Sequence, residues 1–296
     1  MGCLDCPRKC NKERREGDTA SYGYCQVSVR PKVARAALHF WEEPCISGEE
    51  GSGTVFFSGC NLRCVYCQNV EIAAGVRGKE ISVERLAKIF LELQEKGANN
   101  INLVTPSHYY AQIKEALLLI KEKLHIPVIS NTSSYESVEV LREMEGLIDI
   151  YLADYKYASR ELAAKYSHAA DYPQVAAEAL KEMFRQTGEP EFDERGIMKK
   201  GIIVRHLLLP GCKEDSKEVL KFLHDTFGDA VYISIMNQYT PLSHVGKYPE
   251  LNRNVTEEEY EEIVDYAIEL GIENGFVQEG ETAEESFIPA FDGEGV

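Results

Sequence analysis

Three cysteines stand close together directly after a short apolar run. Cys60, Cys64 and Cys67 occur in "TVFFSGCNLRCVYCQN", which gives the spacing C-x3-C-x2-C. Three thiolates suit an iron–sulfur cluster whose fourth iron stays open for a substrate or cofactor. A structural zinc site requires a closed set of four ligands, usually in C-x2-C pairs, and this group has one such pair plus one cysteine. The pattern therefore favours an open iron–sulfur cluster.

A second group of cysteines lies near the N-terminus, in the spacing C-x2-C-x3-C-x14-C. Its members are Cys3, Cys6, Cys10 and Cys25. The surrounding residues are charged and turn-rich and cannot build a core of their own. Four thiolates can close a zinc site, which would make a structural clasp, or hold a second iron–sulfur cluster, which would make an electron relay. Free reduced thiols are the third alternative. Cys45 could replace one ligand, whereas the isolated Cys212 is typical of a small apolar packing residue.

The composition limits the class of protein and its partners. The 296 residues, 44% hydrophobic and 27% charged, suffice for one large α/β domain or two smaller ones. The net charge of −17 disfavours a phosphate backbone, so we expect no nucleic-acid partner. No apolar run approaches the roughly 18 residues of a membrane span, and no signal region is evident, so we expect a cytoplasmic protein without a membrane partner. Nine cysteines in a reducing compartment indicate metal or redox chemistry.

Short β-branched runs alternate along the chain with longer amphipathic segments. Strands are predicted at 54–58, 101–105, 126–130, 148–154, 201–209 and 230–237. Helices are predicted at 82–97, 110–124, 134–145, 173–186, 214–227 and 256–270. Because the strands are apolar on both faces, this series of βα units predicts a parallel sheet with helices outside it. The pattern leaves open whether the sheet curls into a partial barrel or lies open and doubly wound.

The cysteine loop "GCNLRCVYCQN" resembles the cluster loop of the radical S-adenosylmethionine (radical SAM) superfamily. In that superfamily three cysteines hold a [4Fe–4S] cluster, and the amino and carboxylate groups of S-adenosylmethionine (SAM) bind its fourth iron. One electron then cleaves SAM and gives a 5′-deoxyadenosyl radical that abstracts hydrogen. The resemblance implies both cofactors here, with Cys60, Cys64 and Cys67 as cluster ligands and the aromatic Tyr66 near the adenine.

Further segments resemble the pyruvate formate-lyase activating enzyme-like branch of this superfamily, a set of activators of glycyl radical enzymes. They are "CLDCPRKC", "PCISGEEGSGTVFFSGC", "INLVTPSHY", "NQYTP" and "ESFIPAFDGEGV". The resemblance implies an α/β fold, a partial (β/α)6 barrel of parallel strands with a Cys-rich N-terminal extension. We expect the metal-binding extension at 1–50 and the barrel with a C-terminal tail at 51–296. The implied partners are a one-electron donor such as flavodoxin or ferredoxin, and a glycyl radical enzyme.

Polar residues follow the predicted strands, at the edge where parallel α/β sheets carry their chemistry. The superfamily commonly has Gly-Gly-Glu after the second strand to hold the SAM amino group, but this chain has "VTPSHYY". Thr105 and Ser107 could bind SAM there, or could cap the next helix. Asn131 and Thr132 after the third strand could likewise bind SAM or build the following turn.

Two later strands end in candidate SAM contacts as well. Asp154 and Lys156 after the fourth strand point to one side and resemble the Asp-x-Lys of activating enzymes that contact SAM; the alternative is a surface ion pair. Gln238 and Tyr239 after the sixth strand are expected near adenine or substrate.

The fifth strand carries a charge in an apolar run. Arg205 should face a carboxylate, because an unpaired buried charge costs several kcal/mol, and the candidates are the SAM carboxylate and Asp154. His206 points to the opposite face and is expected to be a hydrogen-bonded packing residue.

Several functions are compatible with these features. The leading one is a radical SAM enzyme that activates a glycyl radical enzyme or acts on a small molecule. The rival is a non-catalytic zinc protein that uses the eight cysteines up to Cys67 in two sites, but the series of βα units is far more scaffold than such a site requires. RNA modification is the third, and the net charge of −17 counts against it.

Overall fold

The computed structural model describes residues 3–278 and 289–296. Its strands are β1 (Lys32–His39), β2 (Ser52–Phe57), β3 (Lys79–Glu80), β4 (Ile101–Val104), β5 (Val128–Thr132), β6 (Ile150–Asp154), β7 (Glu191–Phe192), β8 (Met198–Leu207), β9 (Tyr232–Met236) and β10 (Gly275–Val277). They form one sheet in the order β10-β9-β8-β6-β5-β4-β2-β1-β3, and β7 pairs with β8.

The six predicted strands are β2, β4, β5, β6, β8 and β9, and neighbours among them pair in parallel. Each of these strands lies beside the one before it in the chain, without the reversal of order that a doubly wound sheet shows. The outermost strands, β3 and β10, do not pair with each other in the described residues, so the sheet is not closed. The expected partial barrel of parallel strands is confirmed.

The helices are α1 (Pro44–Ser47), α2 (Val70–Ala73), α3 (Val83–Glu95), α4 (Tyr110–Ile120), α5 (Val138–Glu143), α6 (Arg160–Ser167), α7 (Tyr172–Thr187), α8 (Lys213–Phe227) and α9 (Glu257–Leu270). In α3 the Ser82 hydroxyl accepts from the backbone N–H of Arg85, as the capping pattern predicts. The helix predicted from 134 begins only at Val138, because Ser134 has a left-handed φ of +60°. Among the described residues, no helix has the length and apolar character to cross a bilayer.

Two elements that the sequence analysis did not predict close the barrel at one end. Strand β1 pairs antiparallel with β2 and with β3. It leads into α1, whose Cys45 and Ile46 pack against apolar side chains inside the barrel, namely Ile129, Ile150, Leu152, Met198 and Ile203. The interior near the amino ends of the strands is therefore a packed core, and the space for chemistry lies above it.

Candidate active site

The cysteine loop begins directly after β2 and passes close to the N-terminal extension. Gly59 has φ +90°, and a Cβ there would lie 2.6 Å from the carbonyl oxygen of Cys25. Only glycine fits this backbone conformation and this close approach. Further along the loop, the Cys60 Sγ accepts the backbone N–H groups of Leu62 and Arg63 at 3.3 and 3.4 Å. Such donors stabilise a sulfur that carries negative charge.

A chain of buried hydroxyl groups ends at the second cysteine. The Ser167 Oγ donates to the Cys64 Sγ at 2.9 Å. The Ser167 Oγ also lies 2.8 Å from the hydroxyl oxygen of Tyr157, which lies 2.7 Å from the hydroxyl oxygen of Tyr66. Hydrogen bonds to ligand sulfurs help to set the reduction potential of an iron–sulfur cluster. The chain therefore suits a thiolate that binds iron.

The third cysteine lies close to the other two. Burial, and then the charges of Cys60 and Cys64, raise the pKa of the Cys67 thiol to about 12. A metal overrides this cost, because a coordinating thiol is deprotonated outright. In residues 3–278 and 289–296 no three His, Cys, Asp or Glu side chains are arranged around a single metal ion. A [4Fe–4S] cluster makes a different demand, since its cysteines bind different irons, and this loop with its sulfur-directed donors fits one.

The N-terminal extension holds the cysteine loop through Arg8. Its guanidinium donates to three backbone carbonyl oxygens, those of Asn61 at 2.8 Å, His168 at 2.5 Å and Ser167 at 3.2 Å. The guanidinium also lies over the ring of Tyr24, 4.1 Å from its centroid. One side chain thus joins the extension, the cysteine loop and the end of α6, where the donor to Cys64 lies.

The four N-terminal cysteines occupy one neighbourhood in this extension. Cys6 and Cys25 are buried, and Cys3 and Cys10 are half-buried. Burial raises the pKa of Cys6 to about 12, and the charges of Cys3 and Cys25 contribute to that rise. Burial also raises the pKa of Cys25, and the charge of Cys10 contributes there, so the four thiols lie near one another. A guanidinium accompanies them, because Arg14 Nη1 lies 4.0 Å from the Cys25 Sγ.

A cavity of ≈ 460 Å³ opens inside the barrel beside the cysteine loop. Gln68 and Asn69, which follow the last cysteine of the triplet, line it on the side of the loop. Glu42, Glu43 and Arg205 line its floor, above the apolar core that α1 closes. The cavity therefore connects the proposed cluster loop with a group of buried charges.

Arg205 lies between two glutamates at this floor. Its Nε and Nη2 donate to Glu43 at 2.8 and 2.5 Å, and Nη2 also donates to Glu42. Burial raises the pKa of Glu43, but the Arg205 guanidinium outweighs burial, so the pKa lies below its usual value. The expectation that Arg205 needs a carboxylate is confirmed. Its partners are the two glutamates between β1 and α1, and not Asp154, which forms its own ion pair.

Comparison with known families agrees with the site. Residues 54–223, more than half of the chain, match the model of the Radical SAM superfamily. The chain belongs to the radical SAM superfamily. Its cofactors are therefore a [4Fe–4S] cluster and SAM, and it is a radical SAM enzyme.

The chain is also similar to individual archaeal proteins and to proteins of known structure. It is 26% identical over 275 residues to MJ0674 of Methanocaldococcus jannaschii, covering 90% of this chain and 74% of that protein. It is 21% identical over 294 residues to MJ0808 of the same organism, covering 92% and 78%. The crystal structure of methylornithine synthase (PylB) has a TM-score of 0.51 at 14% identity and covers 81% of this chain and 67% of that one, which shows the shared fold. Streptococcus suis SuiB bound to S-adenosylmethionine has a TM-score of 0.49 at 15% identity over 75% of this chain, and the chain spans 49% of SuiB.

The Asp-x-Lys pair of this radical SAM protein forms an internal ion pair near the cysteine loop. Lys156 Nζ lies 2.5 Å from Asp154 Oδ2, and both side chains are mostly buried. Burial lowers the pKa of Lys156, but Asp154, Cys64 and Cys67 more than offset it, so the net shift is upward. The pair is thus not a solvated surface ion pair, and its contact with SAM stays a prediction.

The other predicted SAM contacts fall into two sets. Asn131 and Gln238 line the cavity, and the Gln238 carbonyl accepts from Gln68 Nε2 at 3.1 Å. Tyr66 is buried beside the cysteines, with its ring edge-on to Tyr239 at 6.2 Å between centroids. Their contacts with the adenosine or methionyl groups of SAM stay predictions.

The segment in place of Gly-Gly-Glu is bonded to a buried carboxylate. Ser107 Oγ donates to Glu136 Oε1 at 2.5 Å, and Thr132 donates to the same oxygen. Burial raises the pKa of Glu136 to about 7, and its Oε2 has no partner in the described residues. Neither Thr105 nor Ser107 caps the helix, so that alternative is wrong. Thr105 has φ +59°, and its N–H donates to the carbonyl oxygen of Asn131 at 2.9 Å.

His206 is the packing residue that the sequence analysis expected. Its Nδ1 lies 2.9 Å from the carbonyl oxygen of Tyr155, and its Nε2 lies 2.8 Å from the Ser216 hydroxyl. Burial lowers its pKa to about 4, so the ring is neutral at pH 7. Cys212 directly precedes α8 and packs against the core, in agreement with its interpretation as a small apolar residue.

Sequence reasoning did not find the residues that surround the predicted site. They are Arg8, Glu42, Glu43, Glu136 and Ser167. The sequence gives a partial indication only for Glu42 and Glu43, in "WEEP". Two adjacent carboxylates before a proline are unusual in a segment that leads into a core. The other residues are common polar types whose partners lie far away in the chain.

Proposed function

We propose that this radical SAM enzyme uses Cys60, Cys64 and Cys67 to hold its cluster and abstracts hydrogen from a small molecule bound inside the barrel. The cavity supports this proposal, because it runs from the residues after the last cysteine to a floor of buried charges. When bound, the cluster and SAM supply the radical. The chain holds the substrate, excludes water from it and fixes the distance to the reacting carbon.

The charged floor favours a small molecule over a glycyl radical enzyme. Glu42, Glu43 and Arg205 are each about nine-tenths buried as side chains. A glycine in a protein loop has no side chain that could interact with such a floor, whereas a small polar substrate has charged or polar groups that can. Activation of a glycyl radical enzyme is the second candidate, supported by the resemblance of segments such as "CLDCPRKC" and "NQYTP" to that branch.

The source of the abstracted hydrogen distinguishes the two candidates. Cells of the source organism would be grown in deuterated medium, and their extract separated into a low-molecular-mass filtrate and a protein fraction. Reconstituted enzyme with SAM and a reductant should transfer deuterium into 5′-deoxyadenosine from the filtrate. Transfer from the protein fraction, together with a glycyl radical signal in electron paramagnetic resonance, would instead support activation of a partner enzyme. Deuterium from neither fraction would contradict both. Replacing the chemical reductant by reduced flavodoxin or ferredoxin tests the proposed electron donor.

Asp154 and Lys156 are proposed to position SAM beside the cluster. Because both are mostly buried and Lys156 lies near Cys64 and Cys67, either alanine variant should weaken SAM binding by roughly tenfold or more while the visible spectrum of the cluster is retained. Equilibrium dialysis with labelled SAM measures this. The exposed ion pair of Lys221 and Asp225 provides a matched control, and its alanine variants should bind SAM normally. Unchanged SAM binding in both site variants would contradict the assignment.

We also propose that Cys3, Cys6, Cys10 and Cys25 bind a second metal centre. Their common neighbourhood supports this, although a single ion would require local rearrangement, since the described residues hold no ready ligand set. Metal analysis of a variant without Cys60, Cys64 and Cys67 isolates the N-terminal group. Bound zinc would indicate a structural clasp, and bound iron with sulfide an electron relay. A metal-free protein with an ordered N-terminus would contradict both. Additional replacement of Cys6 and Cys25 should release the metal.

A further inference from the structure

We infer that Glu42, at the floor of the cavity, accepts a protonated amine of the substrate. This inference rests on the proposed function and names the class of small molecule, a compound with a primary ammonium group. The floor, rather than the cysteine loop, would select the substrate.

The charges that line the cavity do not balance. Among the described residues that line it, the charged side chains are Glu42, Glu43 and Arg205, which leaves one net negative charge. His39 also lines the cavity, but burial lowers its pKa, so it contributes no charge at pH 7. An uncompensated buried carboxylate is costly, and a cationic ligand removes that cost.

Glu42 is the less neutralised of the two glutamates. Arg205 holds Glu43 through both Nε and Nη2, but it reaches Glu42 through Nη2 alone. In the part of the chain that the structure describes, the other oxygen of Glu42 accepts from two neutral amides, Asn102 Nδ2 at 2.8 Å and Asn131 Nδ2 at 3.3 Å. An ammonium group near Glu42 would therefore gain a charge-assisted hydrogen bond, about twice as strong as a neutral one.

A second, independent feature points to a ligand that donates hydrogen bonds. Asn102 is fully buried, and its Oδ1 has no hydrogen-bond partner among the described residues. It lies on the same face of β4 as Val104, which lines the cavity, because strand side chains alternate. Among the described residues, this leaves a buried acceptor beside Glu42 without a donor. An ammonium carries three N–H donors and no acceptor, which suits such a site.

Glu42 lies deeper in the barrel than the cysteine loop, toward the amino ends of the strands. Its partner Asn102 lies two residues before the end of β4, whereas the cysteine loop starts beyond the end of β2. We therefore place SAM at the loop end of the cavity and the substrate amine at the floor, with Asn131, which is hydrogen-bonded to Glu42, between the two.

The test compares matched ligands in a matched pair of variants. Butylamine, butanol and butyrate have similar size and differ in charge. The reconstituted enzyme is used with SAM bound and without a reductant. Binding of each ligand is measured by saturation-transfer nuclear magnetic resonance. Butylamine should bind the parent protein best of the three. In Glu42→Gln its Kd should rise by about tenfold or more, since the charge-assisted bond is lost. The exposed Glu115→Gln serves as the control and should bind butylamine as the parent does.

Three outcomes would overturn the inference. They are equal butylamine affinity in Glu42→Gln and the parent, preference of the parent for butyrate, and weaker binding of SAM rather than of butylamine in Glu42→Gln. A thermal melt distinguishes binding from folding, because removing the uncompensated charge should leave the melting temperature unchanged or higher. Because no reductant is present, this experiment tests amine binding separately from the proposed radical chemistry. If the parent protein formed no 5′-deoxyadenosine when a reductant was added, that result would contradict the proposed radical chemistry and leave the amine-binding inference standing.

Discussion

Replacement of Cys60, Cys64 or Cys67 by alanine should abolish the cluster and with it the reductive cleavage of SAM. Each thiolate is one of only three protein ligands in the proposed site, so the loss of one leaves two irons open. After anaerobic reconstitution, the parent should show broad visible absorption and a reduced electron paramagnetic resonance signal that changes when SAM is added. The variants should lack the SAM-sensitive signal and form no measurable 5′-deoxyadenosine.

Cys212→Ala provides the matched control for these three variants. Cys212 is a half-buried cysteine that packs against the core and is not part of the triplet, so its variant should keep the signal and the cleavage activity. Iron bound at the N-terminal cysteines would remain in all variants, and for this reason the diagnostic is the response to SAM rather than total iron. A SAM-sensitive signal in any of the three loop variants would overturn the ligand assignment.

Arg205→Met should lower the free energy of unfolding by about 3–5 kcal/mol, because it leaves two buried carboxylates without a cation. The side chains of Arg205, Glu42 and Glu43 are 11%, 9% and 7% exposed, so water cannot replace the guanidinium. Urea unfolding followed by circular dichroism, at constant cluster occupancy, measures the change.

A neutral triple variant shows whether the charge itself is responsible. Combining Arg205→Met with Glu42→Gln and Glu43→Gln removes all three charges and should recover most of the lost stability, since replacing a buried ion group by neutral residues is often nearly neutral in free energy. The exposed Arg77→Met breaks only the ion pair with Glu71 on the surface and should leave the free energy of unfolding almost unchanged. A stable Arg205→Met protein would mean that the two glutamates are protonated or solvated in its absence.

The parallel strands could be predicted because their β-branched runs are strong local signals. The cysteine loop could be predicted because ligand spacing is also local. Strand β1 was missed, since "KVARAALH" is rich in alanine and carries no clear period of two. The four-residue α1 is too short for helical periodicity. The choice between barrel and open sheet required pairing partners, which a local pattern does not encode.

The partners of Arg205 show where sequence reasoning about the site ends. A buried arginine predicts a carboxylate, and that part was correct. Which carboxylate it finds depends on a contact across 162 residues, formed only because β1 and α1 fold into the barrel end. The hydroxyl chain that reaches Cys64 likewise joins residues 103 positions apart. Such contacts follow from tertiary packing, and no short motif marks them.

Thr105 has a strained backbone conformation that glycine at the same position would adopt without strain. A β-branched residue at φ +59° is strained by roughly 1–2 kcal/mol, whereas glycine adopts this conformation freely. Residues held in strained backbone conformations cluster at functional sites, where the strain or the side chain serves the activity. We therefore expect selection on Thr105 to act through activity, and a library scored for stability alone to prefer glycine at this position.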